Sequence, residues 1–141
     1  AALLDAALGS GEAARRAEAL VEAQGGDPRV VADPSILPRA AVETPVPSPR
    51  SGFVTGWDAR ALGELLVDLG GGRRRTEDSV DPGVGIRLLR KSGDPVSAGE
   101  PVAIVATRAG DGGARERVAG AVAIGDAAPP KRPIVMEEVT P

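Results

Sequence analysis

VGIRLLRKSGDPVSAGEPVAIVAT, residues 84–107, is the stretch on which the fold turns. Two runs rich in Val, Ile and Leu flank a segment punctuated by Gly93-Asp94-Pro95 and Ala98-Gly99. Such runs bounded by Gly, Pro and Asp read as strand, turn, strand. Gly93 and Gly99 permit tight turns, and Val96 between them points inward. Just upstream, GFVTGW (52–57) suits a short strand, and DARALGELLVDLG (58–70) predicts the strongest helix of the chain. Asp58 is its candidate N-cap. Its stripe of Ala61, Leu62, Leu65, Leu66 and Leu69 predicts a buried face that makes the helix the keystone of the core, with Leu66→Ala costing roughly 2–5 kcal/mol, while Arg60, Glu64 and Asp68 face water. Downstream, GARERVAGAVAIG (113–125) predicts a second amphipathic helix, weakened by Gly120. IVMEEV (134–139) predicts a last strand.

Toward the N-terminus the pattern becomes helical. AALLDAAL (1–8) reads as a helix that Gly9 stops, and Ser10 is positioned to cap a second one. In that second helix Ala13, Ala17, Leu20 and Val21 share a face, and Glu12–Arg16 is an i,i+4 pair. Gly25-Gly26 end it. DPRVVADP makes one short turn between prolines. LPRAAVETPVPSPRSG, with prolines at 38, 45, 47 and 49, excludes helix and predicts a crossing between domains near residue 40.

Composition narrows the function. The chain has 141 residues and is 42% hydrophobic, but Phe53 and Trp57 are its only aromatics, so the core must be aliphatic. Net charge is -3, with both signs interspersed. There is no basic stripe and no set of aromatic platforms, which argues against nucleic acid. Cys and His are both absent, which excludes disulfides, thiolate metal sites and the commonest general base. No apolar run reaches the ~20 residues of a membrane span. The opening residues lack the basic region of a signal peptide, and the chain starts inside a helical pattern without Met. The expectation is a cytoplasmic protein, read here as a piece of a longer one.

Five places carry residue types that could do chemistry. The run DLGGGRRR (68–75) combines glycines with arginines, as phosphate loops do. Phosphate cradles, however, precede a helix and use its positive end, whereas these glycines follow one. The run therefore reads as a helix cap and turn, with Arg73, Arg74 and Arg75 facing the last carbonyls. Glu77, Asp78, Asp81 and the pair Glu137/Glu138 lie in polar or alternating stretches that read as solvated surface. DGG (111–113) reads as a turn. Thr55, Ser79 and Ser92 have no histidine to activate them, and Lys91 reads as an exposed hairpin lysine. No catalytic, cofactor-binding or metal-ligating residue is assigned.

Two resemblances accompany this reading. Residues 84–105 look like half of a biotinyl/lipoyl-type carrier domain, but the Met-Lys-Met or Asp-Lys-Ala tripeptide of such carriers is absent. The second covers nearly the whole chain. Gln24–Asp27 (QGGD), Gly52–Val54, Leu69–Arg73 (LGGGR), Asp81–Gly85 (DPGVG) and Gly93–Pro101 (GDPVSAGEP) stand in the order found in the C-terminal third of the thymidine and pyrimidine-nucleoside phosphorylases. That resemblance implies an α+β chain. Residues 1–40 would be trailing helices of a larger α/β domain, and 41–141 a C-terminal α/β hammerhead, a barrel-sandwich hybrid with helices. It also implies a homodimeric parent that uses phosphate and a pyrimidine nucleoside, without a cofactor. The family's phosphate-binding Lys-x-Ser and Gly-His-Thr-Gly-Gly-Thr segments have no counterpart here, so no site residue carries over. Two other readings stay open: a stand-alone interaction module, and a divergent carrier modified on Lys91 or Lys131.

Overall fold

The computed structural model describes residues 2–110 and 112–131. The strand predicted at 134–139, with Glu137 and Glu138, and Asp111 of the DGG turn lie outside them. The backbone divides into two compact units, Ala1–Pro38 and Arg39–Pro141.

The first unit is helical. α1 spans Ala2–Gly9 and α2 spans Glu12–Ala23. The cap of α2 differs from expectation. Gly11, at φ 73°, holds the N-cap position, and Ser10 stands one residue too early. Its hydroxyl accepts only a long 3.4 Å bond from the Glu12 N–H. The expected Glu12–Arg16 pair forms at 3.2 Å, and Arg15 joins it. The helix ends in a Schellman motif. Gly25 is left-handed at φ 78°, its N–H donates to the Glu22 carbonyl, and the Gly26 N–H donates to that of Val21. Two 3₁₀ turns follow, Pro28–Val31 and Pro34–Ile36, each with proline first and an aspartate before it. No residue of α1 or α2 is buried, and Leu3, Leu4, Leu8 and Leu20 are all exposed.

The second unit is α+β, with antiparallel sheets. Its strands are β1 (Val42–Pro47), β2 (Gly52–Trp57), β3 (Gly85–Leu88), β4 (Pro95–Val96), β5 (Pro101–Thr107) and β6 (Val122–Gly125). Its helices are α3 (Ala59–Asp68) and α4 (Ala114–Ala121). One sheet has the order β1-β5-β3, the other β4-β2-β6, and every pairing is antiparallel. The stretch 84–107 thus supplies strands to both sheets. β3 and β5 pair with each other, while the Pro95–Val96 segment between them crosses to β2. Gly93 and Gly99 take φ 100° and φ 81° at the two turns, and Val96 between them is buried, as the sequence requires.

Three expectations are corrected. The proline-rich stretch is not only a crossing, because it contains β1. Pro45 and Pro47 are two residues apart, so their missing N–H groups fall on one side of the strand. Among the described residues β1 is an edge strand, and that side needs no partner. The second predicted helix is half strand: α4 ends at Ala121, and Val122 turns directly to extended backbone (φ -92°, ψ 131°) to begin β6. Leu66, expected to be fully buried with a truncation cost of roughly 2–5 kcal/mol, is not the buried leucine of α3; Leu65 is. Leu65 is 2% exposed, whereas Leu66 is half-buried and folds over Gly71.

Both sheets and both helices meet in one aliphatic core. Val46, Val54, Leu65, Val96, Val102, Ala103, Val105, Ala114 and Val118 form it, with Trp57, Leu62, Leu69, Ile86 and Ile124 packed around them. Among the described residues no helix is long and apolar enough to cross a membrane.

Candidate functional site

The glycine–arginine run caps α3. Gly70 is left-handed at φ 93° and donates to the Val67 carbonyl at 3.0 Å; Gly71 donates to that of Leu66 at 2.9 Å. This is the same Schellman ending as in α2, and it consumes the carbonyls that the arginines were expected to face. The arginines do something else. Arg74 pairs with the Asp68 side chain, and Arg117 of α4 reaches the same carboxylate at 2.9 Å. The main-chain N–H groups of Arg74 and Arg75, which could have cradled a phosphate, both donate to one oxygen of Asp78, at 3.0 and 2.9 Å. The loop's anion-binding capacity is taken up by the chain's own carboxylate.

Asp81, Asp68 and Glu100 are likewise engaged by the chain's own donors. Arg108 forks onto Asp81, with Nη2 donating to Oδ1 at 2.6 Å, and the Gly83 N–H donates to the same carboxylate at 2.9 Å. The Arg108 guanidinium, with the Gly83 N–H, holds the Asp81 carboxyl at about 2. Asp68 is lowered by Arg74 and then Arg117. Glu100 is lowered by the Ser97 N–H and then by Arg90, with which it pairs. A general acid near neutrality needs the opposite shift. These groups are fixed anions that tie loops together.

The turn at Lys91 is held down rather than projected. The Lys91 N–H donates to Asp94 Oδ2 at 2.7 Å, the Gly93 N–H donates to the Val54 carbonyl at 2.8 Å, and Ser92 Oγ donates to the Thr55 carbonyl at 3.0 Å. Beside it the Trp57 indole N–H donates to the Arg90 carbonyl at 3.0 Å. The turn therefore lies along β2, unlike the free tip that a swinging carrier lysine occupies. A cleft of roughly 630 Å³ opens beside it, lined by Thr55, Gly56, Ser92, Asp94, Pro129 and Lys131. Thr55 Oγ1 donates to the Ala123 carbonyl, so both hydroxyls in this cleft are already engaged with main chain. Glu77 and Ser79 stand exposed in the 73–81 loop. Among the described residues no three His, Cys, Asp or Glu side chains converge as a metal site. The Asp81–Arg108 pairing was not foreseen. It joins residues 27 apart, and no local pattern marks it.

Comparison with known proteins fits this arrangement. The profile of the pyrimidine nucleoside phosphorylase C-terminal domain matches residues 53–124. The thymidine phosphorylase of Burkholderia cenocepacia (strain HI2424) is 47% identical over 106 residues, 74% of this chain and 24% of that protein. That of Sinorhizobium fredii (strain NBRC 101917 / NGR234) is 36% identical over 137 residues, 95% of this chain and 31% of that protein. The chain thus spans about a quarter to a third of the length of these curated relatives. The matched stretch runs from β2 through α3, β3, β4, β5 and α4 into β6, which is most of the folded core of the second unit. The chain belongs to the pyrimidine nucleoside phosphorylase C-terminal domain family.

Proposed function

We propose that this chain is the closing, non-catalytic portion of a pyrimidine-nucleoside phosphorylase, with residues 41–141 forming an α/β hammerhead and residues 1–40 the trailing helices of a larger α/β domain. The parent would catalyse reversible attack of phosphate on a pyrimidine (deoxy)nucleoside, giving free base and (deoxy)ribose 1-phosphate. It would act as a cytoplasmic homodimer with phosphate and nucleoside as its only small-molecule partners. The observation that carries this reading is the family match across residues 53–124, on the very elements that build the core. Two further features support it. The carboxylates at Asp68, Asp81 and Glu100 are engaged and acid-shifted. The uncovered leucines of α1 and α2 suit helices whose apolar faces are covered by more protein.

The role then left to the second unit is mechanical. A dense Val and Leu core with its loops tied by ion pairs makes a rigid block, and rigid blocks hold a cleft's geometry and exclude water from it. The test is direct. The purified chain is incubated with thymidine and phosphate, and thymine is measured. No release above background is expected. Turnover above roughly 0.01 per second, about a thousandth of a median enzyme, would show that the chain carries chemistry of its own.

A further inference from the structure

The Asp81–Arg108 fork does more than join two loops. Arg108 follows the end of β5, and all three of its guanidinium nitrogens are committed. Nε and Nη2 take the Asp81 carboxylate, and Nη1 donates to the Arg39 carbonyl at 3.0 Å. Asp81 is itself fixed, since its N–H donates to the Gly70 carbonyl at 2.9 Å. Gly83 completes the arrangement. A Cβ added there would lie 2.9 Å from the Arg39 carbonyl carbon and 3.1 Å from the Ala40 nitrogen, so the backbone fits only without a side chain. Arg39 is the first residue of the second unit, and the first ladder pair, Val42 with Thr107, lies beyond it.

We propose that Asp81, Arg108 and Gly83 form a latch that pins the Arg39–Ala40 peptide and so fixes the point at which the chain enters the second unit. Opening the latch frees this segment and leaves the sheets folded. The planar fork is required, because a lysine would offer one point charge where three directed donors are used. Arg108 is about half exposed, so the latch is also weakened by salt.

Trypsin reads the latch directly, because the bond it cuts after Arg39 carries the carbonyl that Arg108 holds. Cleavage after Arg39 is compared with cleavage after Arg87 in β3, which reports opening of the sheet. In the full chain, Arg108→Gln, Asp81→Asn and Gly83→Ala should each speed cleavage after Arg39 on the order of tenfold and that after Arg87 by far less, as expected for local opening. Arg108→Lys should fall on the side of the opened variants. In the unaltered chain, raising salt to about 1 M, where the screening length is about 3 Å, should move the Arg39 rate in the same direction, measured against Arg75, which lies in the exposed 73–81 loop and makes no ion pair among the described residues. Unchanged cleavage after Arg39, or a rise of equal size at Arg87, would overturn the latch.

Discussion

Leu65→Ala should be the most damaging single truncation in the second unit. Leu65 is the largest fully buried side chain among the described residues and belongs to the core to which both sheets contribute valines. The change removes three buried carbons, worth ~0.8 kcal/mol each in transfer terms, or ~2.4 kcal/mol together. A cavity contribution adds to this. Val46, Val54, Val102, Val105 and Val118 are β-branched and stiff at χ1, so they are poorly able to close over the void. The total should reach about 3–4 kcal/mol, within the roughly 2–5 kcal/mol seen for buried leucines. Trp57, the only tryptophan, lies on β2 against this core, so its fluorescence during urea unfolding reports the second unit alone. With an m-value of roughly 1–1.5 kcal/mol/M, the midpoint should fall by about 2–4 M. Leu65→Met, close to it in volume, should cost less than about 1.5 kcal/mol and keeps the comparison measurable. Leu66→Ala should cost less than Leu65→Ala, about 1.5–2 kcal/mol, since part of that side chain stays exposed. Equal losses at 65 and 66, or a loss at 65 below about 1 kcal/mol, would mean that the helix has been placed with the wrong face inward.

Gly70→Ala should destabilise by about 1–2 kcal/mol, the cost of an L-residue in the left-handed region; its Cβ meets nothing within 4 Å, so the effect is conformational and appears in the same urea titration. Asp81 titrates below the ordinary aspartate value of 3.8, so its pairing with Arg108 stabilises the fold above that pH and the contribution is lost as pH falls toward about 2. Asp81→Asn should flatten the acid side of the stability profile in that window and change its slope little above pH 5 or so; an unchanged acid limb would refute the assignment. Amide exchange should be fast in α2 and slow in β5, because α2 buries no residue and β5 is the central strand of its sheet. Equal, cooperative protection of both would contradict the separation into two units.

Much of this fold was written in local sequence. Gly70-Gly71 and Gly25-Gly26 mark helix ends because only glycine enters the left-handed region without strain, and both become Schellman caps. Asp58 was legible as a cap for the same local reason, and its Oδ1 accepts the Ala61 N–H at 2.9 Å. β1 was hidden because prolines argue against a strand everywhere except at an edge, and edge position is a property of the sheet, not of the residues. β6 was hidden because AVAIG is too short an apolar run for periodicity to separate strand from helix. The choice of Leu65 over Leu66 depends on the rotation of α3 against the sheets, which a wide apolar stripe leaves undecided. At the candidate site, the polarity argument against a phosphate cradle at 68–75 was available from order alone. The partners of those groups were not. Asp78 under Arg74 and Arg75, and Arg108 on Asp81, are contacts made by loop closure and carry no motif.

On the proposed reading, these residues close a phosphorylase without supplying its chemistry. The most direct measurement is a chimera. The aligned C-terminal segment of the Burkholderia cenocepacia thymidine phosphorylase is replaced by the matching residues of this chain, and thymine release is followed with thymidine and phosphate. The chimera should carry out phosphorolysis within about tenfold of the unaltered enzyme, a change of about 1.4 kcal/mol in barrier, and neither part alone should do so. A soluble, folded chimera without activity, or thymine release by this chain by itself, would contradict it.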